Sequence, residues 1–429
     1  MPGSYKTYKL NTMNQFVLEA KHRTLLLVGI GVGLLCLVLT AVGDDENLTR
    51  FWSNYLHNAV FFLGIAFMAV FVQAAFITAW AGWYTVFKRV WEAASTFLVP
   101  ALILMIPIIA GLWGHFHHLY HWADADSVAH DPVLQGKASF LNNGWYTFGT
   151  LIIVGTWIFF AYKLRSLSLQ EEKSGAQVAD FKFHRQIRVW AAAFLPIAGF
   201  SSAAVIWQWV MSVDAHWYST LFAWYTAVSW FVSLMALTIL CLIFMKGKGY
   251  FESVTDEHMH DLGKYLFAFS IFWTYLWFSQ FMLIWYANVG EETVYFQTRM
   301  EQYPVLFWGN LLLNFITPFF VLMRNDTKRK YGTLAFVSIT VLFGHWWDFF
   351  QMIKPGVLHT AHEVMSHGAE GGHHAAGFMM GFTIPGLLEL GTFIGFLSGF
   401  ILYFFSQLSK ETLNPENDPY IQESLHHHV

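Results

Sequence analysis

The sequence contains about ten runs of apolar residues that are each long enough to cross a lipid bilayer as a helix. The hydrocarbon core of a membrane needs roughly 20 such residues. The runs lie at residues 24–42, 56–86, 93–114, 144–163, 189–211, 218–245, 263–288, 304–323, 331–353 and 377–408. Because backbone polar groups inside a bilayer must bond to one another, these runs predict an all-α integral membrane protein with about ten transmembrane helices.

The composition excludes several other classes of protein. Charged residues make up only 12% of the chain and apolar residues 56%, whereas an ordinary soluble domain is about 25% charged. A disordered chain would need more charge, and a nucleic-acid-binding protein would need a basic excess, so we expect no nucleic-acid partner. Cys36 and Cys241 both lie in apolar runs, and we therefore expect no cysteine-ligated zinc or iron–sulfur site in this chain.

The basic residues predict the orientation of the spans, because cytoplasmic loops of membrane proteins are enriched in Lys and Arg. If the ten spans alternate, 20 of the 24 Lys and Arg residues fall on one side. The other side has Arg50, Lys137, Arg299 and Lys354. We therefore predict one polytopic membrane domain over residues 1–429, with a cytoplasmic segment 1–23, ten spans over 24–408 and a cytoplasmic tail 409–429. We expect that polar tail to lie on a partner or to be disordered.

Histidine is unusually abundant, and twelve of the 20 histidines fall on the predicted outer side. The two outer loops that hold most of them contain His115, His117, His118, His121, His130, His359, His362, His367, His373 and His374. Three interpretations stay open. The histidines are ordinary interfacial residues, they bind haem or a transition metal with Glu363 and Glu370, or they handle protons near neutral pH.

A few ionisable residues lie inside the predicted spans, where charge is costly and usually functional. His345 and Asp348 are three residues apart and share one face of the ninth span. Glu389 lies about twelve residues, or roughly 18 Å, inside the tenth span, which is near mid-bilayer. If these spans are neighbours, His345, Asp348 and Glu389 form a candidate proton path that leads inward. A buried pair that only fixes packing is the alternative.

Four stretches of the sequence together resemble one family. They are WQWVMSVDAHWYST (207–220), DLGKYLFAFSIFWTYLWFSQFMLIWYANVGEET (261–293), GHWWDFF (344–350) and NDPYIQESLHHH (417–428). They are similar to the F membrane subunits (ActF) of alternative complex III, a bacterial quinol:cytochrome c oxidoreductase, within the wider polysulfide-reductase/NrfD-like membrane family. The resemblance implies that spans 2–5 and 6–9 form two four-helix bundles and that spans 1 and 10 flank them.

The same resemblance implies a location, partners and cofactors. The location is the bacterial inner membrane. The partners are a multihaem cytochrome c subunit, an iron–sulfur subunit, a homologous quinol-binding membrane subunit and smaller subunits. A terminal oxidase and the lipids of the membrane are further partners. Haems and iron–sulfur clusters would reside in the partners and menaquinone or another quinone nearby, while this chain would bind no cofactor and no metal and would not be catalytic alone.

Three functions follow from these observations. The first is a structural subunit that also conducts protons through His345, Asp348 and Glu389. The second is a subunit that itself binds quinol at the outer face, where Asp214, His216 or His345 would accept the quinol proton. The third is a secondary transporter with its binding site at the midplane around Glu389.

Overall fold

The computed structural model describes residues 15–45, 47–174, 181–366 and 380–428, the last five residues before 367 by their backbone alone. Over these residues the chain forms ten helices that are long and apolar enough to cross a membrane. We number them in chain order as helix 1 to helix 10: Ala20–Val42, Thr49–Thr78, Thr85–Gly114, Asn143–Lys173, Lys182–Val213, Leu221–Gly247, Asp256–Ala287, Pro304–Leu322, Tyr331–Ser366 and Leu387–Leu408. The prediction of an all-α integral membrane protein is confirmed.

The helices pack as two four-helix bundles with a flanking pair. Helices 2, 3, 4 and 5 contact one another, as do helices 6, 7, 8 and 9, and helix 1 packs mainly against helix 10. Helix 2 also contacts helices 6 and 9 and joins the two bundles. In its most apolar segment 83% of the residues are buried, against 17% in that of helix 1. Helix 2 therefore forms the centre of the molecule.

Several helix ends differ from the predicted bounds. Helix 2 ends at Thr78, and a turn that contains Trp80 at a φ of 60° separates it from helix 3, which begins at Thr85. The turn has the sequence AWAGWY over residues 79–84, so its apolar side chains resemble the continuation of a span. Lys88 and Arg89 consequently lie in the first turns of helix 3, where they are 7% and 3% exposed, rather than in a solvated loop.

The two ends of the described chain meet on one face of the bundle, which we call the terminal face. Gln15 pairs with Thr412 in an isolated β-bridge, and its side-chain amide donates to the Ser409 carbonyl at 2.9 Å. Lys248, in the connection between helices 6 and 7, bonds Glu19 at 2.9 Å on the same face. An even number of spans places both ends of the chain on the same face. We call the other end of the bundle the opposite face.

The C-terminal tail packs on the terminal face of its own chain. Asp418 is 7% exposed and pairs with Lys88 of helix 3. Ser424 donates to the Trp83 carbonyl at 2.5 Å, and His427 bonds Asp261 of helix 7 at 2.7 Å. The tail is therefore ordered against helices 3 and 7, whereas the sequence led us to expect an arm on a partner or a disordered segment.

Candidate functional site

Asp348 lies at the centre of the second bundle and is fully buried. Its carboxylate accepts hydrogen bonds from Ser229 at 2.9 Å, Trp273 at 3.1 Å and Asn310 at 2.6 Å, and from the Tyr225 hydroxyl. Helices 6, 7 and 8 thus each direct a neutral donor at this residue of helix 9. Among the described residues, Asp348 forms no ion pair. We call Asp348 and its four donors the Asp348 hub.

His345 adjoins the Asp348 hub through a shared hydroxyl group. The Ser229 Oγ lies 2.7 Å from His345 Nδ1 and 2.9 Å from Asp348 Oδ2. His345 Nε2 is buried and makes no hydrogen bond to any described residue. Because a hydroxyl both donates and accepts, Ser229 can accept a proton from the imidazole while it donates its own to the carboxylate. The two residues predicted to act together are therefore linked, with Ser229 between them.

Polar residues recur at every third position along helix 9, at His345, Asp348, Gln351 and Lys354. Three residues turn an α-helix by about 300°, so each step rotates the side chain by about 60°. His345 and Asp348 consequently face helices 6 and 7, whereas Lys354 faces helix 2, where it donates to Ser53 at 2.7 Å and to Asn54 at 2.5 Å. One helix supplies two separate polar clusters.

Helix 8 reaches the Asp348 hub through a π-helical turn over Leu312–Ile316. Just before this turn, Asn310 bonds Asp348 and also Gln351 at 3.1 Å. Within the turn, Asn314 donates to the Asn310 side chain at 2.6 Å and to the Gly344 carbonyl at 2.9 Å. Such turns are frequent at functional sites, and this one holds the amide that bonds Asp348.

Glu389 belongs to a second cluster near the opposite face. Its carboxylate accepts from Arg50 Nε at 2.8 Å and Nη2 at 2.9 Å, and from Asn54 at 3.0 Å. The Gly386 amide donates to Glu389 at 2.9 Å. The Lys354 ammonium shares Asn54 with this carboxylate. Glu389 thus has a fork-like pairing with Arg50, the geometry that makes an arginine–carboxylate bond strong.

The predicted depth of Glu389 is wrong. Helix 10 begins at Leu387, ten residues after the predicted start of the span, so Glu389 lies in the first turn of the helix rather than near mid-bilayer. The segment before the helix contains a turn at Met380–Ile384. A secondary transporter stays a prediction, and Glu389 would lie at the end of a span in it rather than at the middle.

His345, Asp348 and Glu389 also do not form one continuous line of hydrogen bonds. Helix 10 packs mainly on helix 1 and then on helices 2 and 3, and it meets helix 9 through the apolar contact of Phe393 with Trp346, 4.9 Å apart between ring centroids. Across the part of the chain that the structure describes, no side-chain hydrogen bond links the Glu389 cluster to the Asp348 hub. The structure therefore brings His345 and Asp348 together and places Glu389 apart.

The residues predicted to bind quinol are engaged elsewhere. Asp214 accepts a 2.7 Å hydrogen bond from Arg299, whose guanidinium stacks 3.4 Å from the centre of the Tyr295 ring. Burial acts to lower the pKa of Arg299, but Tyr295 and Asp214 outweigh it and raise the pKa above its usual value. His216 pairs with Asp131, and His345 lies in the second bundle.

A cavity of about 370 Å³ adjoins the turn between helices 5 and 6. Its wall includes Trp207, Ser212 and Trp217, and neither Asp214 nor His216 lines it. The buried indole N–H groups of Trp207 and Trp217 have no hydrogen-bond partner among the described residues. The cavity therefore offers aromatic ring surface to a ligand.

The outer histidines whose side chains the structure describes do not form one continuous row. His117 is buried and its Nε2 lies 3.0 Å from the Ile108 carbonyl, and burial lowers the pKa of His117 to about 4. His57 is buried against Trp346. In the second predicted outer loop the side chains of His362, Glu363, His367, Glu370, His373 and His374 lie outside the described residues, so the predicted metal site with Glu363 and Glu370 stays a prediction.

Sequence reasoning missed the residues that complete both clusters. The sequence does not distinguish Tyr225, Ser229 and Asn310 from other polar residues of apolar runs, which usually bond a neighbouring helix. Arg50 and Lys354 were counted as outer basic residues, yet both contact the Glu389 cluster. Their sparseness on that side was the available signal, since each rare charge there needs a partner.

Comparison with models of known protein families and with curated proteins gives no match. The chemistry of the site is thus defined by its own residues. The Asp348 hub offers a buried carboxylate that can take up a proton, an imidazole and a bridging hydroxyl. Because the Ser229 hydroxyl lies between the imidazole of His345 and the carboxylate of Asp348, the arrangement suits proton transfer and hydrogen bonding.

Proposed function

We propose that this chain is an integral membrane subunit of a respiratory quinol:cytochrome c oxidoreductase, without a cofactor of its own, and that it helps conduct protons through His345 and Asp348. The observation that carries the proton-conducting role is the Asp348 hub, where neutral donors alone surround a fully buried carboxylate. An isolated charge at membrane depth is costly. Uptake of a proton by Asp348 removes that charge, and the bridging hydroxyl supplies a route from His345.

The transfer balances atom by atom. A proton arrives at His345 Nε2, which has no partner among the described residues. The Nδ1 proton then passes to Ser229 Oγ while the Ser229 hydroxyl proton passes to Asp348. His345 ends as the other neutral tautomer and Asp348 as a neutral acid. The change between tautomers is a property of imidazole that makes it a common proton shuttle.

The resemblance to alternative complex III supports the rest of the proposal. Under it, a homologous membrane subunit oxidises quinol near the outer face, and an iron–sulfur subunit and a multihaem cytochrome c carry the electrons away. The complex lies in the bacterial inner membrane. The excess of Lys and Arg on the terminal face supports a cytoplasmic position for both termini. Glu389, near the opposite face, stays a candidate for the outer end of the path.

Affinity purification from native membranes tests the partnership. A tagged full-length chain solubilised in mild detergent should co-purify with covalent c-type haem, visible in the absorption spectrum, and with quinol:cytochrome c reductase activity. Purification of the chain alone, with transport activity in vesicles and no haem, would contradict the proposal and favour a secondary transporter.

The 370 Å³ cavity favours a second candidate, a quinone site in this chain. Trp207 and Trp217 line it, and flat aromatic side chains suit stacking on a quinone ring. Photolabelling with an azido-quinone should then modify this chain, and Trp207→Phe together with Trp217→Phe should lower the labelling. Labelling confined to another subunit, or unchanged in the double variant, would exclude this site.

A further inference from the structure

Three potential metal ligands from distant parts of the chain meet on the opposite face. His121 follows helix 3, Asp131 lies between the short helices Ala125–His130 and Pro132–Lys137, and His216 lies in the turn between helices 5 and 6. One ligand atom from each of the three lies within 4.8 Å of the other two. None of these residues belongs to the Asp348 hub or the Glu389 cluster.

The carboxylate of Asp131 is held in place by its own backbone surroundings. Oδ1 accepts hydrogen bonds from the Val133 amide at 2.8 Å and the Leu134 amide at 3.4 Å. Oδ2 is thereby directed at His216. An aspartate carboxylate at the protein surface is ionised at neutral pH. The carboxylate is therefore an anionic ligand at neutral pH.

The two imidazoles complete a ligand set that transition metals prefer. The rings of His121 and His216 lie 5.5 Å apart between centroids. Two imidazole nitrogens and one carboxylate oxygen, with an open position for water, suit Zn²⁺ and related first-row ions. Donor atoms around a tetrahedral Zn²⁺ lie roughly 3.3 Å apart, so the observed spacing needs a small closure around the ion.

A second cluster of potential metal ligands differs from the first because a lysine already lies in it. Glu171, His184 and Asp418 on the terminal face also approach within 4.8 Å. There the Lys88 ammonium pairs with Asp418 and lies 3.8 Å from Glu171, so a cation already occupies that cluster. Near Asp131 the neighbouring cation is Lys137, whose ammonium donates to the Ala215 carbonyl at 2.6 Å instead of pairing with the carboxylate.

We propose that His121, Asp131 and His216 bind one divalent transition-metal ion of the Zn²⁺ class. The ion would replace the direct contact between His216 and Asp131 and would tie the loop after helix 3 to the turn between helices 5 and 6. His216 is 42% exposed and Asp131 20% exposed at the side chain, so the ion can exchange with the solvent. The site would be structural and independent of proton conduction.

Cobalt substitution tests this site in the full-length purified protein. After treatment with a chelator, Co²⁺ should give the visible absorption of a low-coordinate site, and Zn²⁺ should abolish it by displacement. His216→Gln and His121→Gln should each lose this band and one tightly bound equivalent of Co²⁺. His130→Gln is the matched control, because His130 lies in the same loop but its Nδ1 contacts the Asp126 carbonyl; it should keep both.

Thermal unfolding gives a second measurement that does not depend on the other histidine-rich segments. Zn²⁺ should raise the midpoint of the wild type and of His130→Gln, since a ligand of the folded state stabilises it. It should not raise the midpoint of folded His216→Gln or His121→Gln protein. Equal Co²⁺ stoichiometry and equal Zn²⁺ stabilisation in all four proteins would overturn the proposal.

Discussion

At the scale of single residues, the four basic side chains of the opposite face each have a polar partner. Arg50 bonds Glu389 at 2.8 Å and Arg299 bonds Asp214 at 2.7 Å. Lys137 donates to the Ala215 carbonyl at 2.6 Å, and Lys354 donates to Asn54 at 2.5 Å. A charge that leaves water must be paired or hydrogen-bonded. Each of the four basic side chains therefore has the partner that its burial requires.

The Arg50–Glu389 pair leads to a prediction about stability. Arg50→Met leaves Glu389, which is 1% exposed, without its bidentate partner and should lower the free energy of unfolding by about 3–5 kcal/mol. The double variant Arg50→Met, Glu389→Leu should recover most of that loss, because it removes the buried charge as well. Thermal unfolding in detergent measures both, and equal losses in the single and double variants would contradict the account.

At the scale of helices, glycines allow helices 1 and 10 to approach closely. A Cβ added at Gly33 would lie 2.4 Å from the Cα of Gly395, and one added at Gly391 would lie 2.2 Å from Cys36 Sγ. Small residues spaced four apart let membrane helices pack backbone to backbone. Gly31, by contrast, has open space around it. A comparison of Gly33 with Gly31 therefore separates the effect of helix packing from the effect of local helix propensity.

Gly33→Leu should therefore separate helix 1 from helix 10, whereas Gly31→Leu should not. In a background with Cys241→Ala, a membrane-permeant maleimide should label Cys36 several-fold faster in Gly33→Leu, since Cys36 packs against Gly391. Unchanged labelling in Gly33→Leu, or equal acceleration in both variants, would show that the close glycine contact does not hold helix 1.

The sequence predicted the helices better than their ends or their partners. Apolar length identified all ten spans, because the bilayer imposes it. It misplaced the turn around Trp80, whose apolar residues hide a break, and the start of helix 10, where Pro385 and Gly386 precede Leu387. The spacing of His345 and Asp348 predicted their shared face, but no spacing could predict Ser229 between them, since that contact joins residues 116 and 119 positions apart.

At the scale of the whole molecule, the C-terminal tail joins the two bundles on the terminal face. Asp418 reaches Lys88 of helix 3, and Ser424 lies 3.4 Å from His258 Nε2 of helix 7. Burial acts to raise the pKa of Asp418, but the Lys88 ammonium outweighs it and lowers the pKa below its ordinary value of 3.8. The stabilisation from this pair is therefore present above that value and is lost as the pH falls below it.

Asp418→Asn should accordingly destabilise the protein at neutral pH, by about 3–5 kcal/mol for a broken buried pair. The difference from the wild type should shrink as the pH is lowered through and below about 4. Asp326→Asn is the control, because Asp326 is 47% exposed at the side chain and forms a surface pair with Arg324, which should contribute little. A pH-independent deficit in Asp418→Asn would contradict this account.

The proposed function depends on proton transfer through Asp348, and the number of protons moved per electron tests that transfer most directly. The purified complex would be placed in vesicles and supplied with quinol and cytochrome c, with Asp348→Asn and the control Asp326→Asn beside the wild type. We predict that Asp348→Asn assembles and oxidises quinol but moves fewer protons per electron, whereas Asp326→Asn matches the wild type. Wild-type proton movement in an assembled Asp348→Asn complex would contradict the central claim.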